Sequence, residues 1–334
     1  MRDPVTGFVY PASWLARCDP EVPVSLVEQG LAVLTSSGTI LRRGFTTGTT
    51  AAAACTAAIL SLKQTVTTVT ITTPCGITVA VPVTGINGTA SCKKYAGDYP
   101  SDVTSGLEFV AHATPAAEGI NLTAGEGIGR FSRDTPRYRK GTPAISSGPL
   151  ECILNSMESA LAATGLSGVS VTLSVPSGKQ VAEKTLNPRV GVEGGISVLG
   201  TTGLVEPWDD HLEESVCERV ARGGPFVLTT GRTGLIFSRL LFPDHEAVLV
   251  GNKIGEVLDA IKGNVILCGL PALILKYIRP GILEGTGYAT IEELSVSPAF
   301  DGIVRSVLGE FEKIRPNVRV VLVNREGIII GESP

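Results

Sequence analysis

The sequence has few of the residues that build metal sites, disulfide frameworks or histidine-based catalytic groups. Its seven cysteines are scattered, odd in number and never spaced as Cys-x-x-Cys, so neither a disulfide framework nor a zinc site is indicated. Its three histidines, His112, His211 and His245, form no ligand pattern and no Ser-His-Asp or Cys-His grouping. We therefore expect no protein-bound metal and a reduced, cytoplasmic setting.

The chain also lacks a long apolar run and a large excess of positive charge. Its hydrophobic stretches are short and interrupted by Gly, Pro or Lys, so we expect neither a membrane span nor a signal peptide. The formal net charge of −4 argues against a dedicated nucleic-acid-binding protein. Neither Gly-x-x-x-x-Gly-Lys-[Ser/Thr] nor Gly-x-Gly-x-x-Gly occurs, which excludes a Walker-type phosphate loop and gives a nicotinamide dinucleotide little support.

The charges are distributed unevenly along the chain. Residues 1–190 carry 15 Lys and Arg against 13 Asp and Glu, whereas residues 191–334 carry 13 against 19. Electrostatic complementarity gives such a division if the first part binds an anionic ligand and the second a cationic one. A chance distribution of surface charge explains it equally well, and both interpretations stay open.

The sequence pattern changes near residue 190 of the 334, and the chain is long enough for two domains. Residues 1–38 are treated as an N-terminal extension. Residues 39–190 combine an Ala-rich helix with alternating β runs, which predicts an α+β N-terminal domain. Residues 191–334 repeat a short apolar strand, a glycine turn and an apolar helix, which predicts an α/β doubly wound parallel-sheet domain.

The start of the Ala-rich helix is the first candidate binding site. Threonines and a glycine open this helix, and two arginines precede it: Thr46, Thr47, Gly48, Thr49, Thr50, Arg42 and Arg43. A helix start presents unpaired N–H groups and a partial positive charge, which suit a carboxylate or a phosphate. The alternative is that the threonines cap a buried helix and the arginines are solvated.

Two loops of the first domain carry further charged groups. Asp98, Asp102 and Thr104 lie between predicted strands, where carboxylates accept a proton, bind a cation or, more often, form Asx turns. The segment 125–149 contains a short glycine loop and five cationic residues beside two aromatic ones: Arg130, Arg133, Arg137, Arg139, Lys140, Phe131 and Tyr138. We regard this segment as a candidate surface for an anion, with an ordinary solvated loop as the alternative.

Glycine turns follow the strands of the predicted second domain. They are Gly200–Gly203, Gly231, Gly251 and Gly269. Ligands of open α/β sheets bind at the carboxyl edge of the strands, so we expect these turns to line one site. Such turns suit a nucleoside-like cofactor without phosphates, with an acid such as Glu206 near the ribose hydroxyls.

Five motifs together resemble one protein family. In sequence order they are LRRGFTTGTTAAAACTAA, GDYPSDVTSG, GEGIGR with GTPAISSGP, KTLNPRVGVEGGISVLGTTGLVEP and VLTTGRTG. They are similar to the motifs of the CbiD family, the cobalt-precorrin-5B C(1)-methyltransferases, over roughly residues 41–278. The resemblance implies transfer of a methyl group from S-adenosyl-L-methionine to C1 of cobalt-precorrin-5B, giving cobalt-precorrin-6A, in the anaerobic pathway of cobalamin (vitamin B12) biosynthesis.

The resemblance also implies roles for residues of this chain. The substrate is a tetrapyrrole with several carboxylates, and the cobalt belongs to it rather than to the protein. We assign substrate binding to Arg42, Arg43, Thr46, Thr47, Gly48, Thr49, Thr104, Arg130, Asn187 and Arg189. We assign S-adenosyl-L-methionine binding to Gly200, Thr201, Thr202, Gly203, Glu206, Gly231, Gly251 and Gly269. Methyl transfer to an electron-rich ring carbon needs positioning rather than a nucleophile, and any base is expected among Asp98, Asp102 and Glu126.

Two other functions stay open at this point. The glycine loop and the helix starts are compatible with a nucleotide- or phosphate-ligand-binding enzyme. A non-catalytic corrinoid-binding protein is the second alternative, because Leu270 stands where the family pattern has a histidine. The sequence also leaves homo-oligomer formation open.

Overall fold

The structure, a computed structural model, describes residues 1–18, 23–99, 102–134, 138–207, 216–221, 223–251 and 253–333. It is a mixed α/β protein with antiparallel and parallel sheets. The chain divides into two compact units. Unit 1 comprises Met1–Glu28, Val33–Ile40 and Asp210–Pro334, and unit 2 comprises Gln29–Ala32 and Leu41–Asp209.

The helices and strands are numbered in chain order. The helices are α1 Ala12–Leu15, α2 Ser25–Glu28, α3 Thr47–Leu60, α4 Ser147–Thr164, α5 Gly178–Ala182, α6 Val216–Ala221, α7 Arg232–Leu241, α8 Ile254–Ala260, α9 Pro271–Ile278, α10 Ile291–Ser295 and α11 Phe300–Ile314. The strands are β1 Ala32–Leu34, β2 Ile40–Arg42, β3 Gly44–Phe45, β4 Val66–Thr72, β5 Thr78–Ile86, β6 Thr89–Lys93, β7 Glu108–Pro115, β8 Gly119–Ala124, β9 Gly127–Ile128, β10 Arg130–Phe131, β11 Gly168–Ser174, β12 Val192–Glu193, β13 Gly195–Ile196, β14 Leu204–Val205, β15 Phe226–Thr229, β16 Glu246–Leu249, β17 Val265–Gly269, β18 Val318–Val323 and β19 Ile329–Glu332. Among the described residues, no helix combines the length and the apolar character needed to cross a membrane.

Unit 2 is built around a six-stranded sheet in the order β4-β5-β6-β7-β11-β8. Its pairs are antiparallel except β11 with β8. The Ala-rich helix α3 is buried from Thr47 to Ile59 because it packs against both α4 and the sheet. Alanine side chains allow this close approach on every side, and the side chain of Thr46 caps the helix, as the sequence predicts.

Unit 1 contains a five-stranded sheet in the order β16-β15-β17-β18-β19. The pairs among β16, β15, β17 and β18 are parallel, and β19 is antiparallel to β18. The order therefore reads 2-1-3-4-5 along the chain, which is the flavodoxin-like arrangement with a switch point between β15 and β17. Its core combines strand residues such as Leu228 and Leu267 with helix residues such as Ile274 and Leu308.

Two boundaries differ from the sequence prediction. The structure divides the chain at 209/210 rather than at 190/191, because two-residue strands tie residues 192–205 into unit 2. The strand β13 pairs with β9, and β14 pairs with β3. The residues expected to form a separate N-terminal extension belong largely to unit 1, where the ring of Phe8 lies 5.6 Å from that of Phe237.

Candidate active site

Most of the candidate residues of unit 2 lie at one end of its six-stranded sheet. The registers place the last residues of β4, β6, β8 and β11 beside the first residues of β5 and β7. We call this the motif end. The loops that leave it carry Asp98, Asp102, Glu126 and Arg130, and the start of α3 lies there as well, because Phe45 N–H donates to the Tyr95 carbonyl, 2.7 Å away.

The start of α3 is interlocked with the turn 199–203. Thr47 Oγ1 donates to the Ser197 carbonyl at 3.1 Å and accepts from Leu199 N–H at 2.9 Å. Thr49 Oγ1 donates to the Gly203 carbonyl at 2.7 Å. Two motifs that are about 150 residues apart in the sequence are thus held together by their own polar groups.

Glycine is required where this turn meets its neighbours. Gly203 has φ +81°, and a Cβ atom there would lie 2.7 Å from Thr73 Cβ and 2.8 Å from Pro74 Cδ. A Cβ on Gly200, which has φ +135°, would lie 2.4 Å from Thr46 Oγ1. Both the backbone conformation and the available space therefore exclude larger residues.

This geometry corrects the expected role of the helix start. Gly48 N–H donates to the Leu199 carbonyl at 3.1 Å, and Thr49 N–H donates to Thr46 Oγ1 at 3.3 Å. Thr46, Thr47, Gly48 and Thr49 are all buried. Their polar groups bind the turn, so the start of α3 does not present the open set of N–H groups expected for a carboxylate.

Arg43 and Glu206 also differ from their expected roles. Arg43 is 2% exposed, and its Nε donates to Glu206 Oε1 at 3.1 Å. Its Nη1 donates to the carbonyls of Gly30 and Ala32. A buried guanidinium needs such partners, so Arg43 is part of the interior of unit 2 and Glu206 compensates its charge instead of lying free for a ribose.

The carboxylates proposed as bases have different surroundings. Asp98 is exposed, and its Oδ2 accepts from Arg42 N–H at 2.7 Å. Asp102 forms a buried ion pair with Lys94 and accepts from Thr104 N–H at 2.9 Å. Burial alone raises the pKa of Asp102, but the hydrogen bonds from Lys94 and Thr104 and the charge of Lys94 outweigh it and lower the pKa below its ordinary value. Asp102 is therefore a weak base, and Thr104 orients it.

The segment after β9 forms an exposed cationic surface. The side chains of Arg130, Arg133, Arg139 and Lys140 are exposed, whereas Arg137 lies outside the described residues. β10 pairs with β12, and a Cβ on Gly191 would lie 3.1 Å from Arg133 Nε, so the segment adjoins residues 189–193 with the exposed Arg189. The rings of Phe131 and Tyr138 stack 4.5 Å apart with an interplanar angle of 7°.

Asn187 and Glu126 hold different positions near this surface. Asn187 is 6% exposed; its Nδ2 donates to the Gly195 carbonyl at 3.3 Å, and its Oδ1 accepts from Ser197 Oγ at 2.9 Å. It therefore supports the segment that leads into the turn 199–203. Glu126 is exposed, and its backbone carbonyl accepts from Val175 N–H at 2.8 Å.

The other predicted glycines lie in unit 1. Gly231, Gly251 and Gly269 follow or end parallel strands, so they share the carboxyl edge of the five-stranded sheet as predicted. Beside them Thr229 is fully buried, and its Oγ1 lacks a hydrogen-bond partner. The turn Gly200–Gly203 does not belong to this edge, because β13 and β14 pair within unit 2.

Sequence reasoning missed three features of the site. Lys94, the partner of Asp102, directly follows the exposed Lys93, and nothing in the sequence marks Lys94 as buried. Thr73 and Pro74 contact the turn across more than 100 residues of chain. Phe131 and Tyr138 were noted as aromatic neighbours of the cationic residues, but their stacking depends on the loop conformation.

Potential metal ligands and cysteine thiols also occur in the described part of the chain. No group of three or more His, Cys, Asp or Glu side chains there could hold a metal ion. Burial raises the pKa of the thiols of Cys55 and Cys92 to about 12. These two cysteines are therefore neutral thiols at physiological pH rather than nucleophiles.

The fold and this site define a class: a mixed α/β protein with candidate ligand residues at one end of a mostly antiparallel sheet and at the carboxyl edge of a mostly parallel one. The CbiD family model matches residues 34–207. The chain is 63% identical to the cobalt-precorrin-5B C(1)-methyltransferase of Methanoregula boonei and 60% identical to that of Methanoculleus marisnigri, with 100% of each chain covered. This chain belongs to the CbiD family.

A solved structure of the family is also similar. The crystal structure of the cobalamin biosynthesis protein CbiD from Archaeoglobus fulgidus matches with a TM-score of 0.57 and 34% sequence identity, covering 97% of this chain and 100% of that one. The family model spans the whole segment from the start of α3 to the turn 199–203. The interlocked motifs of unit 2 are therefore part of what the family model recognises.

Proposed function

We propose that this protein transfers the methyl group of S-adenosylmethionine to C1 of cobalt-precorrin-5B, giving cobalt-precorrin-6A and S-adenosylhomocysteine, in anaerobic cobalamin biosynthesis. The observation that carries the proposal is full-length identity of 63% to a relative with this activity in its name. The match covers 100% of this chain and 100% of that relative.

The acceptor fits the cationic surface at the motif end. A tetrapyrrole with several carboxylates needs dispersed positive charge and a flat apolar surface. The exposed Arg130, Arg133, Arg139 and Lys140 supply the charge, and the stacked Phe131 and Tyr138 supply a flat surface beside them. We place acceptor binding here, with Arg42 and Arg189 as further cations, rather than at the buried start of α3.

The donor brings a sulfonium-activated methyl group, and the protein has to align it with C1. Holding two reactants in line removes as much as ~7–11 kcal/mol of the barrier in the best oriented cases. No nucleophile is needed for this step. Of the three carboxylates considered as a base, Asp98 and Glu126 are exposed at the motif end, whereas the lowered pKa of Asp102 makes it the weakest candidate.

The residues proposed for the donor divide between the two units. Gly231, Gly251 and Gly269 lie at the carboxyl edge of the unit 1 sheet, where ligands of flavodoxin-like sheets bind. Gly200 and Gly203 lie in unit 2 and serve the interlocked turn. Strand order alone favours the carboxyl edge of the unit 1 sheet as the donor site. A groove in unit 2 is the alternative donor site.

The setting of the reaction follows from the cysteines. All six cysteines whose side chains the structure describes are free thiols. Free thiols persist in a reducing compartment, so we propose that the enzyme acts in the cytoplasm.

Ligand binding separates this function from a nucleotide- or phosphate-ligand enzyme. The melting temperature of the full chain is measured with S-adenosylhomocysteine and with ATP, because a ligand stabilises the state that binds it. We expect stabilisation by S-adenosylhomocysteine and none by ATP. Stabilisation by ATP alone would overturn the proposal.

A further inference from the structure

A groove of about 840 Å³ runs along unit 2 between the edge strand β4 and helix α4. Thr56 and Leu60 of α3 form part of its lining. Gly148 and Ala163 of α4 lie along it, and the fifteen helical steps between them span about 22 Å. The groove is therefore long enough for an extended small molecule.

One end of the groove reaches the motif end of the sheet. Its lining includes Thr73 and Pro74 of the β4–β5 turn and Thr201 of the interlocked turn. A long ligand lying in the groove would have one end beside the family's signature residues and the other end along α4. A nucleoside lying in the groove would therefore place a group bonded to its 5′ carbon beside these residues.

The lining selects against anions. It is rich in hydroxyl groups, for example those of Thr68, Thr70, Ser156 and Ser159, and also contains the amide of Asn155. Glu151 is the one carboxylate among these lining residues, and none of them is a lysine or an arginine. A phosphate or a polycarboxylate would meet an acid without a compensating cation, whereas a neutral or cationic molecule with many polar atoms is accommodated.

A buried hydroxyl in the lining lacks a partner. Thr56 is 6% exposed, and its Oγ1 has no hydrogen-bond partner in the structure. Buried polar side chains are nearly always hydrogen-bonded, so an unsatisfied one beside a groove points to a bound polar atom. Ser61, the residue that follows this helix, shows the usual case, because its Oγ donates to the Ala58 carbonyl at 2.8 Å.

The edge strand supplies backbone groups on the same side. Cys152 Sγ of α4 donates to the Thr72 carbonyl at 3.4 Å, so this carbonyl points away from β5 and toward α4. Backbone groups alternate along a strand with a period of two. The N–H and C=O groups of Thr70 and Thr68 therefore face the same side as Thr72, and such a donor–acceptor row matches the edge of a heteroaromatic base.

We infer that this groove binds the nucleoside part of the methyl donor, with its cationic sulfonium end toward Thr201 and Glu151. The inference rests on the proposed function and assigns the donor to unit 2 rather than to the carboxyl edge of unit 1. The base lies along β4, a polar atom of the ligand satisfies Thr56 Oγ1, and Glu151 provides the charge that distinguishes a sulfonium from a neutral thioether.

Calorimetric titration of the full chain with S-adenosylmethionine and S-adenosylhomocysteine tests this assignment. Thr56→Val removes the unpartnered hydroxyl at nearly constant volume, and we expect it to weaken both ligands about two- to tenfold. Glu151→Gln should weaken S-adenosylmethionine by about two- to fivefold and the uncharged S-adenosylhomocysteine less. Glu158→Gln, another exposed glutamate of α4 that does not line the groove, is the matched control and should bind as wild type.

Hydrogen exchange locates the ligand without any substitution. We expect S-adenosylhomocysteine to protect residues 66–74 and 148–163. Protection of 226–235 and 265–275 instead, with wild-type affinity in both groove variants, would overturn the groove assignment and leave the proposed function standing. If the wild-type chain binds neither S-adenosylmethionine nor S-adenosylhomocysteine, the proposed function fails and the groove assignment fails with it.

Discussion

Replacing Gly203 by alanine tests the interlock between α3 and the turn 199–203. Residue 203 has φ +81°, a conformation that costs a residue with a side chain roughly 1–2 kcal/mol. The new Cβ would also lie 2.7 Å from Thr73 Cβ and 2.8 Å from Pro74 Cδ, which adds about 1–3 kcal/mol of overpacking. We therefore expect Gly203→Ala to lower the free energy of unfolding by ~2–5 kcal/mol.

Gly194→Ala is the matched control for this experiment. Gly194 has φ +78°, and no heavy atom lies within 4 Å of the position of its Cβ, so it carries the conformational cost without the overpacking. Urea unfolding of both variants, followed by circular dichroism and by hydrogen exchange of α3, isolates the steric part. Equal stability of the two variants, or a Gly203→Ala protein that unfolds as wild type but no longer binds donor, would show that close packing at residue 203 does not stabilise the interlock.

Three further changes test other parts of the site. Asp102→Ala leaves Lys94 buried without its partner and should cost about 3–5 kcal/mol in urea unfolding. Because the pKa of Asp102 is lowered, the stabilisation by this pair should be present above the ordinary carboxylate pKa and lost as the pH falls through the lowered value. An unchanged free energy of unfolding in either experiment would contradict this. Asn187→Ala removes two hydrogen bonds and should cost about 1–3 kcal/mol, and unchanged hydrogen exchange of residues 195–199 would argue against its supporting role. Replacing Arg139 and Lys140 together by alanine should weaken tetrapyrrole binding at low salt and much less at high salt. Lys63→Ala changes an exposed lysine outside the cationic surface and should not weaken binding. Equal losses of affinity at both salt concentrations would count against the cationic surface.

Local patterns account for the elements that the sequence predicts correctly. The Thr46 cap, the Ala-rich run of α3 and the alternating runs that form β4 and β5 are specified by neighbouring residues. The strands β15, β16 and β17 of unit 1 are also local, because each of these apolar runs ends in a glycine or is followed by one within two residues. Their shared carboxyl edge then follows from parallel pairing.

The placement of residues 191–207 depends on contacts that no local pattern contains. The strands β13 and β14 have two residues each, which is too short for an alternation of apolar and polar side chains. Their partners β9 and β3 lie far away in the sequence. Local patterns therefore predict the wrong sheet for this turn.

The same reason explains the misassigned charges. Arg43 and Glu206 are 163 residues apart, and only the folded chain shows that they pair. An arginine beside a helix start resembles an anion-binding residue whether or not it is buried. In contrast, the cations of segment 130–140 were recognised because a cluster of charge in a glycine-rich loop is itself a local signal of exposure.

Incubation of the full chain with cobalt-precorrin-5B and S-adenosylmethionine carrying a ¹³C-labelled methyl group shows directly whether this chain methylates the ring at C1. Mass spectrometry and carbon NMR of the ring then report whether a methyl group was added and to which carbon. We expect one labelled methyl group at C1 and one molecule of S-adenosylhomocysteine per ring. A ring that is bound but unchanged, or one labelled at another carbon, would contradict it.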